Sequence, residues 1–181
     1  MGPSYLFKTE RLGFRSWQAS DREPFAAMNA DPEVMRYFPT PLSKERSDWL
    51  IKRFEKHMDD KGYGIYAVDR LEDQQFIGFI GLATINMNVE FKHEVEIGWR
   101  LDKTYWKKGY AVEGATACLQ HAFDDFHLST IYSFTAKINK PSEKVMERIG
   151  MEKIKEFQHP NIEAGNPLKQ HILYKISKTP S

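Results

Sequence analysis

The order in which strand-like and helix-like segments alternate restricts this chain more than any other feature. Thr9 to Trp17 alternates as a strand, with Leu12, Phe14 and Ser16 on one side. Ser20-Asp21-Arg22-Glu23 then reads as a capping box, and Pro24 is tolerated in a first helical turn. That helix carries Phe25, Ala26, Met28 and Asn29 and ends at Asp31-Pro32. Pro39 to Ser43 is a loop ending in an N-cap, and the next helix places Trp49, Leu50, Phe54 and Met58 at helical spacing. Tyr63–Asp69, Phe76–Thr84 and Glu94–Leu101 read as strands, the first two joined by a short polar turn as a hairpin. A helix from Ala111 to Asp124 has Val112, Ala115, Leu119, Ala122 and Phe123 on one stripe. Thr130–Ala136 is a strand, Pro141–Ile149 a short helix stopped by Gly150, and Met151–Gln158 with Gln170–Ile176 a closing strand pair.

The sum is strand, two helices, three strands, helix, strand, helix, two strands. That is neither a doubly wound parallel pattern nor a sandwich. It predicts an α/β (α+β) fold: a mixed, largely antiparallel seven-stranded sheet flanked by about four helices. One domain over residues 9–177 accounts for it, since 181 residues suit a single core.

Composition narrows the function. The formal net charge of +1 provides no global field for nucleic acid or an anionic membrane. The single cysteine, Cys118, excludes an intrachain disulfide and a Cys-pair zinc site, so no metal is expected. Met1 to Lys8 has no apolar leader run, and no stretch approaches the roughly 18 apolar residues that span a bilayer. A cytoplasmic protein without membrane contact, monomeric or homodimeric, is the expectation.

The segment most telling about chemistry is Tyr105-Trp106-Lys107-Lys108-Gly109-Tyr110-Ala111-Val112-Glu113-Gly114, which joins an apolar strand to an amphipathic helix. A pyrophosphate needs several backbone N–H groups in one concavity and gains from a helix N-terminus. Gly109 permits unusual backbone angles, Ala111 permits close approach, and Lys107 and Lys108 add attraction. The alternative is a solvated Lys-Lys turn. Neither GxGxxG nor GxxxxGK[ST] occurs, so dinucleotide-binding and P-loop readings have no support.

This segment resembles the Arg/Gln-x-x-Gly-x-Gly/Ala motif of GNAT acetyltransferases. It reads Trp106-Lys107-Lys108-Gly109-Tyr110-Ala111, with Trp106 departing from the usual Arg or Gln. It is similar in particular to the branch that acetylates ribosomal-protein N-termini. Thr9-Glu10-Arg11-Leu12 with Arg15, Glu96-Ile97-Gly98-Trp99, and Asn139-Lys140-Pro141-Ser142 followed by Ile149-Gly150-Met151 match that branch in order. The resemblance implies acetyl-CoA as acetyl donor and an amine as acceptor, a small molecule or a peptide N-terminus. It implies that Gly98, Trp99, Arg100 and Leu101 bond the pantetheine through backbone atoms. Lys107, Lys108, Gly109, Tyr110 and Ala111 would hold the pyrophosphate.

Direct acetyl transfer needs a held thioester, a base for the amine, donors for the oxyanion and a proton for the thiolate. Alternation puts Glu94, Glu96, Gly98 and Arg100 on one strand face, opposite Val95, Ile97, Trp99 and Leu101. Glu96 is then either the base, directly or through a water, or a solvent-facing carboxylate. His93 and His171 are further candidates because histidine titrates near neutral pH. Many GNAT enzymes place a Tyr acid seven residues after the Asn of the last motif, where this chain has Met146. Ser142 takes that role in the resemblance, or it stabilises a helical turn beside Asn139. Asn139 is a cap, a pantetheine contact or both. Cys118 reads as a buried structural thiol. Tyr37 and Phe38 line the acceptor pocket or pack between helices, and Glu90, Glu94 and Glu96 are acids that could attract a cationic amine.

Three readings follow: an N-acetyltransferase, a CoA-binding regulatory domain without turnover, and an RNA-associated module. The near-neutral charge and lack of an RNP-type aromatic motif argue against the last.

Overall fold

The computed structural model describes residues 4–178, so the first three residues of the Met1–Lys8 stretch lie outside it. An eight-stranded sheet runs in the order β1-β2-β3-β4-β5-β6-β8-β7. The strands are β1 (Phe7–Lys8), β2 (Leu12–Arg15), β3 (Ile65–Arg70), β4 (Gln75–Thr84), β5 (Val95–Leu101), β6 (Thr130–Ala136), β7 (Glu152–Gln158) and β8 (Gln170–Ser177). The helices are α1 (Arg22–Ala30), α2 (Lys44–Lys61), α3 (Tyr110–Asp124) and α4 (Lys140–Arg148). Every neighbouring pair is antiparallel except β5 with β6. The strand beyond the expected seven is β1, two residues long, which pairs Phe7 with Phe14. Among the described residues no helix is long and apolar enough to cross a membrane.

Sheet register explains how side chains are sorted. Glu96, Gly98 and Arg100 of β5 lie opposite Ala83, Gly81 and Phe79 of β4. Ile65 and Ala67 of β3 continue that face, which packs with Phe25 and Met28 of α1 and Ile51 of α2. The other face carries Tyr66, Val68, Ile80, Leu82 and Ile97 against Ala115, Cys118, Leu119 and Ala122 of α3. Each fully buried side chain of Leu or Ile size contributes about 1.5–3 kcal/mol. Helix α3 approaches β4 so closely that a Cβ at Gly114 would stand 2.3 Å from Ile80 Cδ1. Cys118 is in this core, as its place in the apolar stripe implied, and burial pushes its thiol pKa up.

Several local expectations need correction. The opening strand is confined to Leu12–Arg15, and both of its faces are buried. Ser20 is not the cap of α1; the Asp21 carboxylate instead accepts from the Gln18 backbone N–H at 2.8 Å, closing a short 3-10 turn before the helix. Asp21 is turned inward because Arg15 needs it. The Arg15 guanidinium bonds Asp21 at 2.7 Å and Asp69 at 2.7 Å, and all three are buried. Trp49 faces solvent, 45% exposed, between the guanidinium groups of Arg46 and Arg53. The inward positions of α2 are instead Ser47 and Ile51, with Leu50 and Phe54 beside them. Capping of α2 follows the sequence: Ser43 Oγ accepts from the Arg46 N–H at 3.2 Å.

Candidate functional site

The single parallel junction of the sheet is incomplete. Strands β5 and β6 share one registered pair, Glu96 with Tyr132. Ser133 Oγ donates to the Ile97 carbonyl at 2.9 Å, and from Gly98 onward the edge of β5 has no strand partner. A cavity of about 700 Å³ opens there. Backbone N–H and C=O groups on such an edge form hydrogen bonds with whatever extended chain lies beside them.

The turn after β5 borders the same cavity. Asp102 Oδ1 accepts from the Thr104 N–H at 2.9 Å and starts a short 3-10 turn over Lys103–Tyr105. Lys107 and Gly109 both have positive φ, 60° and 81°. This conformation bends the chain into the first turn of α3, whose N-cap is Gly109. A helix N-terminus with free N–H groups attracts an anion. Lys107, Gly109, Tyr110 and Ala111 all line the cavity. Lys108 does not: its carbonyl accepts from Arg11 Nη1 at 3.0 Å, and its ammonium lies 5.7 Å over the Tyr105 ring. Lys144 and Arg148 of α4 add two more cations to the cavity lining. Those groups and the open strand edge fit a phosphorylated, amide-containing donor such as acetyl-CoA.

Trp106, at the odd position of the loop motif, has a visible purpose. Its indole N–H donates to the Leu101 carbonyl at 2.8 Å, so one lone pair of that carbonyl is engaged within the protein. Arg11 was legible only as part of an opening strand. It bonds Glu113 of α3, stacks over Tyr110 at 4.6 Å and holds the Lys108 carbonyl.

Glu96 projects into the cavity from the α1/α2 face, beside Gly98, Phe134 and Ala83. Desolvation pushes its pKa up to about 7. It also borders a second cavity of about 300 Å³ shared with His57, Asn86 and His159. Glu94 is exposed in the turn before β5, and Glu90 pairs with Lys155 at the surface, so neither acid shares the cavity. His93 is likewise exposed, with φ of 73°, and lines neither cavity. His171 does line the main one. It is buried, its Nδ1 has no hydrogen-bond partner among the described residues, and burial beside His159 pulls its pKa down to about 4. His159, 4.8 Å from His171 ring to ring, has no helical or strand pattern that would have singled it out.

On the far wall Asn139 caps α4: its Oδ1 accepts from the Ser142 N–H at 3.3 Å, and its amide donates to Thr135 Oγ1 at 2.9 Å. Asn139 and Ser142 both line the cavity. Met146, at the position of the missing Tyr, is 1% exposed and packs with the α3 core. Gly98, Trp99, Arg100 and Leu101 line the β5 wall. Tyr37 and Phe38 form the roof, and Tyr37 reaches across to pack with Ala136, Ile162 and Leu168.

A strand pair parted beside a helix N-terminus, with a carboxylate in the gap, has the layout of an acyl-transfer site. Comparison with known proteins gives the family. Residues 11–152 match the model of the acetyltransferase (GNAT) domain, and the chain belongs to that family. At the level of the family it is an acetyl-CoA-dependent acetyltransferase. It is 31% identical over 169 residues to the uncharacterized N-acetyltransferase YnaD of Bacillus subtilis, covering 93% of this chain and 94% of that one. A GNAT acetyltransferase structure from Bacillus anthracis superposes with a TM-score of 0.76 at 30% identity, covering 94% and 96%. The spermidine N-acetyltransferase of Vibrio cholerae, solved with CoA and spermine, shares the fold with a TM-score of 0.74 at 19% identity, covering 93% and 96%.

Proposed function

We propose that this chain transfers an acetyl group from acetyl-CoA to a primary amine by direct attack within a ternary complex. The observation that carries the reading is the unpartnered edge of β5 from Gly98 to Leu101, with Glu96 at one end and Gly109–Ala111 at the other. Within that stretch the backbone groups that point away from β4, those of Trp99 and the Leu101 N–H, bond the pantetheine as an added strand would, while those of Gly98 and Arg100 belong to the β4 ladder. The free N–H groups of Gly109, Tyr110 and Ala111 face the pyrophosphate, with Lys107 adding charge.

Glu96 takes the proton of the incoming ammonium. Its raised pKa, about 7, suits a base that must both accept and release a proton near neutrality. The amine nitrogen then bonds to the thioester carbonyl carbon and the carbon–sulfur bond breaks. The nitrogen loses its second proton to solvent as the amide forms, and the leaving thiolate takes a proton from solvent through the Ser142 hydroxyl. No covalent enzyme step is required, and buried Cys118 is far from a thiolate state. Tyr37 and Phe38 bound the acceptor pocket. The acceptor is a small amine or a peptide N-terminus, the latter being the ribosomal-type reading.

Acetyl-CoA at about 100 times its dissociation constant stabilises the fold by about 2.7 kcal/mol, readable by thermal unfolding. CoA release with an amine panel then separates an enzyme from a binding domain without turnover. Absence of any acetyl-CoA effect on unfolding would defeat both.

A further inference from the structure

Arg100 is a cation in the cavity wall without a counter-ion among the described residues. It stands on the same face of β5 as Glu96, four residues on. That spacing is about 13 Å along a strand. Its Nη1 donates to Asn29 Oδ1 at 2.7 Å, and the Asn29 amide donates to Ser47 Oγ at 3.0 Å. Asn29 and Ser47 are both 0% exposed, so a buried chain from α1 and α2 fixes the guanidinium in place. The guanidinium lies over Phe38 at 4.3 Å and Phe79 at 5.3 Å. Its Nε is buried with no partner, and among the described residues no carboxylate pairs with it. Desolvation pulls its pKa down to about 10, which leaves it charged at neutral pH.

The other charged side chains of the lining, with one exception, have the same sign. Glu96 is the only acid among the described residues that border the main cavity, and Arg36 stands on the roof beside Tyr37. The smaller cavity, which also reaches Glu96, contains Arg53 and His57 but no second acid. A polycationic acceptor would meet like charges by either route, with one carboxylate as its only attraction. A guanidinium held in apolar surroundings with spare donors is suited to a carboxylate.

We infer that the acceptor is an amine that also carries a carboxylate, with Arg100 binding the carboxylate while the amine lies at Glu96. The inference rests on the acetyl-transfer reading above and specifies the substrate class for that site. A free ω-amino acid long enough to reach both groups and a short peptide with an acidic side chain near its N-terminus share this chemistry.

The experiment measures CoA release from acetyl-CoA with matched pairs of acceptors. The pairs are ω-amino acids of increasing length against their carboxamides, and Asp- or Glu-containing dipeptide amides against Asn or Gln ones. Spermidine is included as a polycation. Preference for the carboxylate member, by about 30-fold or more in kcat/KM, is the expected result, given what loss of one partner costs a buried ion pair. The amino-acid and dipeptide arms show which source of carboxylate is used. Arg100→Met then removes that preference through KM while acetyl-CoA still stabilises the fold, and Arg100→Lys restores part of it. Equal turnover of the paired acceptors, better turnover of spermidine, or no turnover of any carboxylate amine by protein that binds acetyl-CoA overturns the inference. A protein that acetyl-CoA does not stabilise fails at the earlier reading instead.

Discussion

Arg11 Nη1 donates to the Lys108 carbonyl at 3.0 Å, so a residue from the chain's first strand region holds the turn that precedes α3. The same side chain bonds Glu113 and covers the Tyr110 ring. The turn's N–H groups are therefore oriented before any ligand arrives, and preorganisation of this kind lowers the cost of binding. Arg11→Ala is expected to raise the dissociation constant for acetyl-CoA by about 10-fold. Because the ion pair is partly exposed, stability should fall by only about 1 kcal/mol or less. Calorimetric titration beside a urea melt checks both numbers; unchanged affinity would mean the loop needs no such support.

Gly109 has φ of 81°, where a β-branched residue is strained. Gly109→Val should cost about 1–3 kcal/mol of local strain and weaken acetyl-CoA binding by tenfold or more. A variant that binds the donor normally would show that the phosphates lie elsewhere.

Glu96→Gln should lower kcat by about 10²–10⁴-fold with little change in donor affinity. In the wild type, kcat should rise as pH increases through about 7, because the base must be ionised. Stability has the opposite slope. A carboxylate whose pKa is higher in the folded state binds more protons folded than unfolded, so stability falls as pH rises from about 4.5 to above 7. The glutamine variant lacks that penalty and should exceed the wild type in stability by ~1–3 kcal/mol at pH 8. A kcat that does not depend on pH between 6 and 8, about a unit either side of the base's pKa, would remove Glu96 from the role.

Ser142→Ala should reduce kcat by about 10-fold or more if the hydroxyl passes the thiolate its proton. The helix cap is unaffected, because it uses the Ser142 backbone N–H rather than the side chain. Unfolding temperature should therefore stay put, and an unchanged kcat would return the proton to solvent alone.

Arg15→Met should destabilise the fold by about 3–5 kcal/mol, since Asp21 and Asp69 are left buried without a counter-charge. Denaturant midpoints measure this. A loss under 1 kcal/mol would mean that water reaches the two carboxylates.

What could be read along the chain was what acts over a few residues. Ser43 and Asn139 announce helix starts because their side chains reach N–H groups three positions on. The alternation in β5 sorts Glu96, Gly98 and Arg100 from Ile97 and Leu101 because a strand has a period of two. Gly109 before Tyr110-Ala111 marks a tight strand-to-helix turn for the same local reason. Element order then carried the sheet type, with the two-residue β1 too short to leave a pattern. Tertiary structure alone decided the parting of β5 from β6, the inward turn of Asp21 toward Arg15 and the solvent-facing Trp49. It also decided that His171 enters the cavity while His93 does not, and that Arg100 is half-buried, held by Asn29 and without a carboxylate partner among the described residues. Each of these depends on atoms brought together from distant positions, and burial and charge pairing are properties of that assembly rather than of any segment.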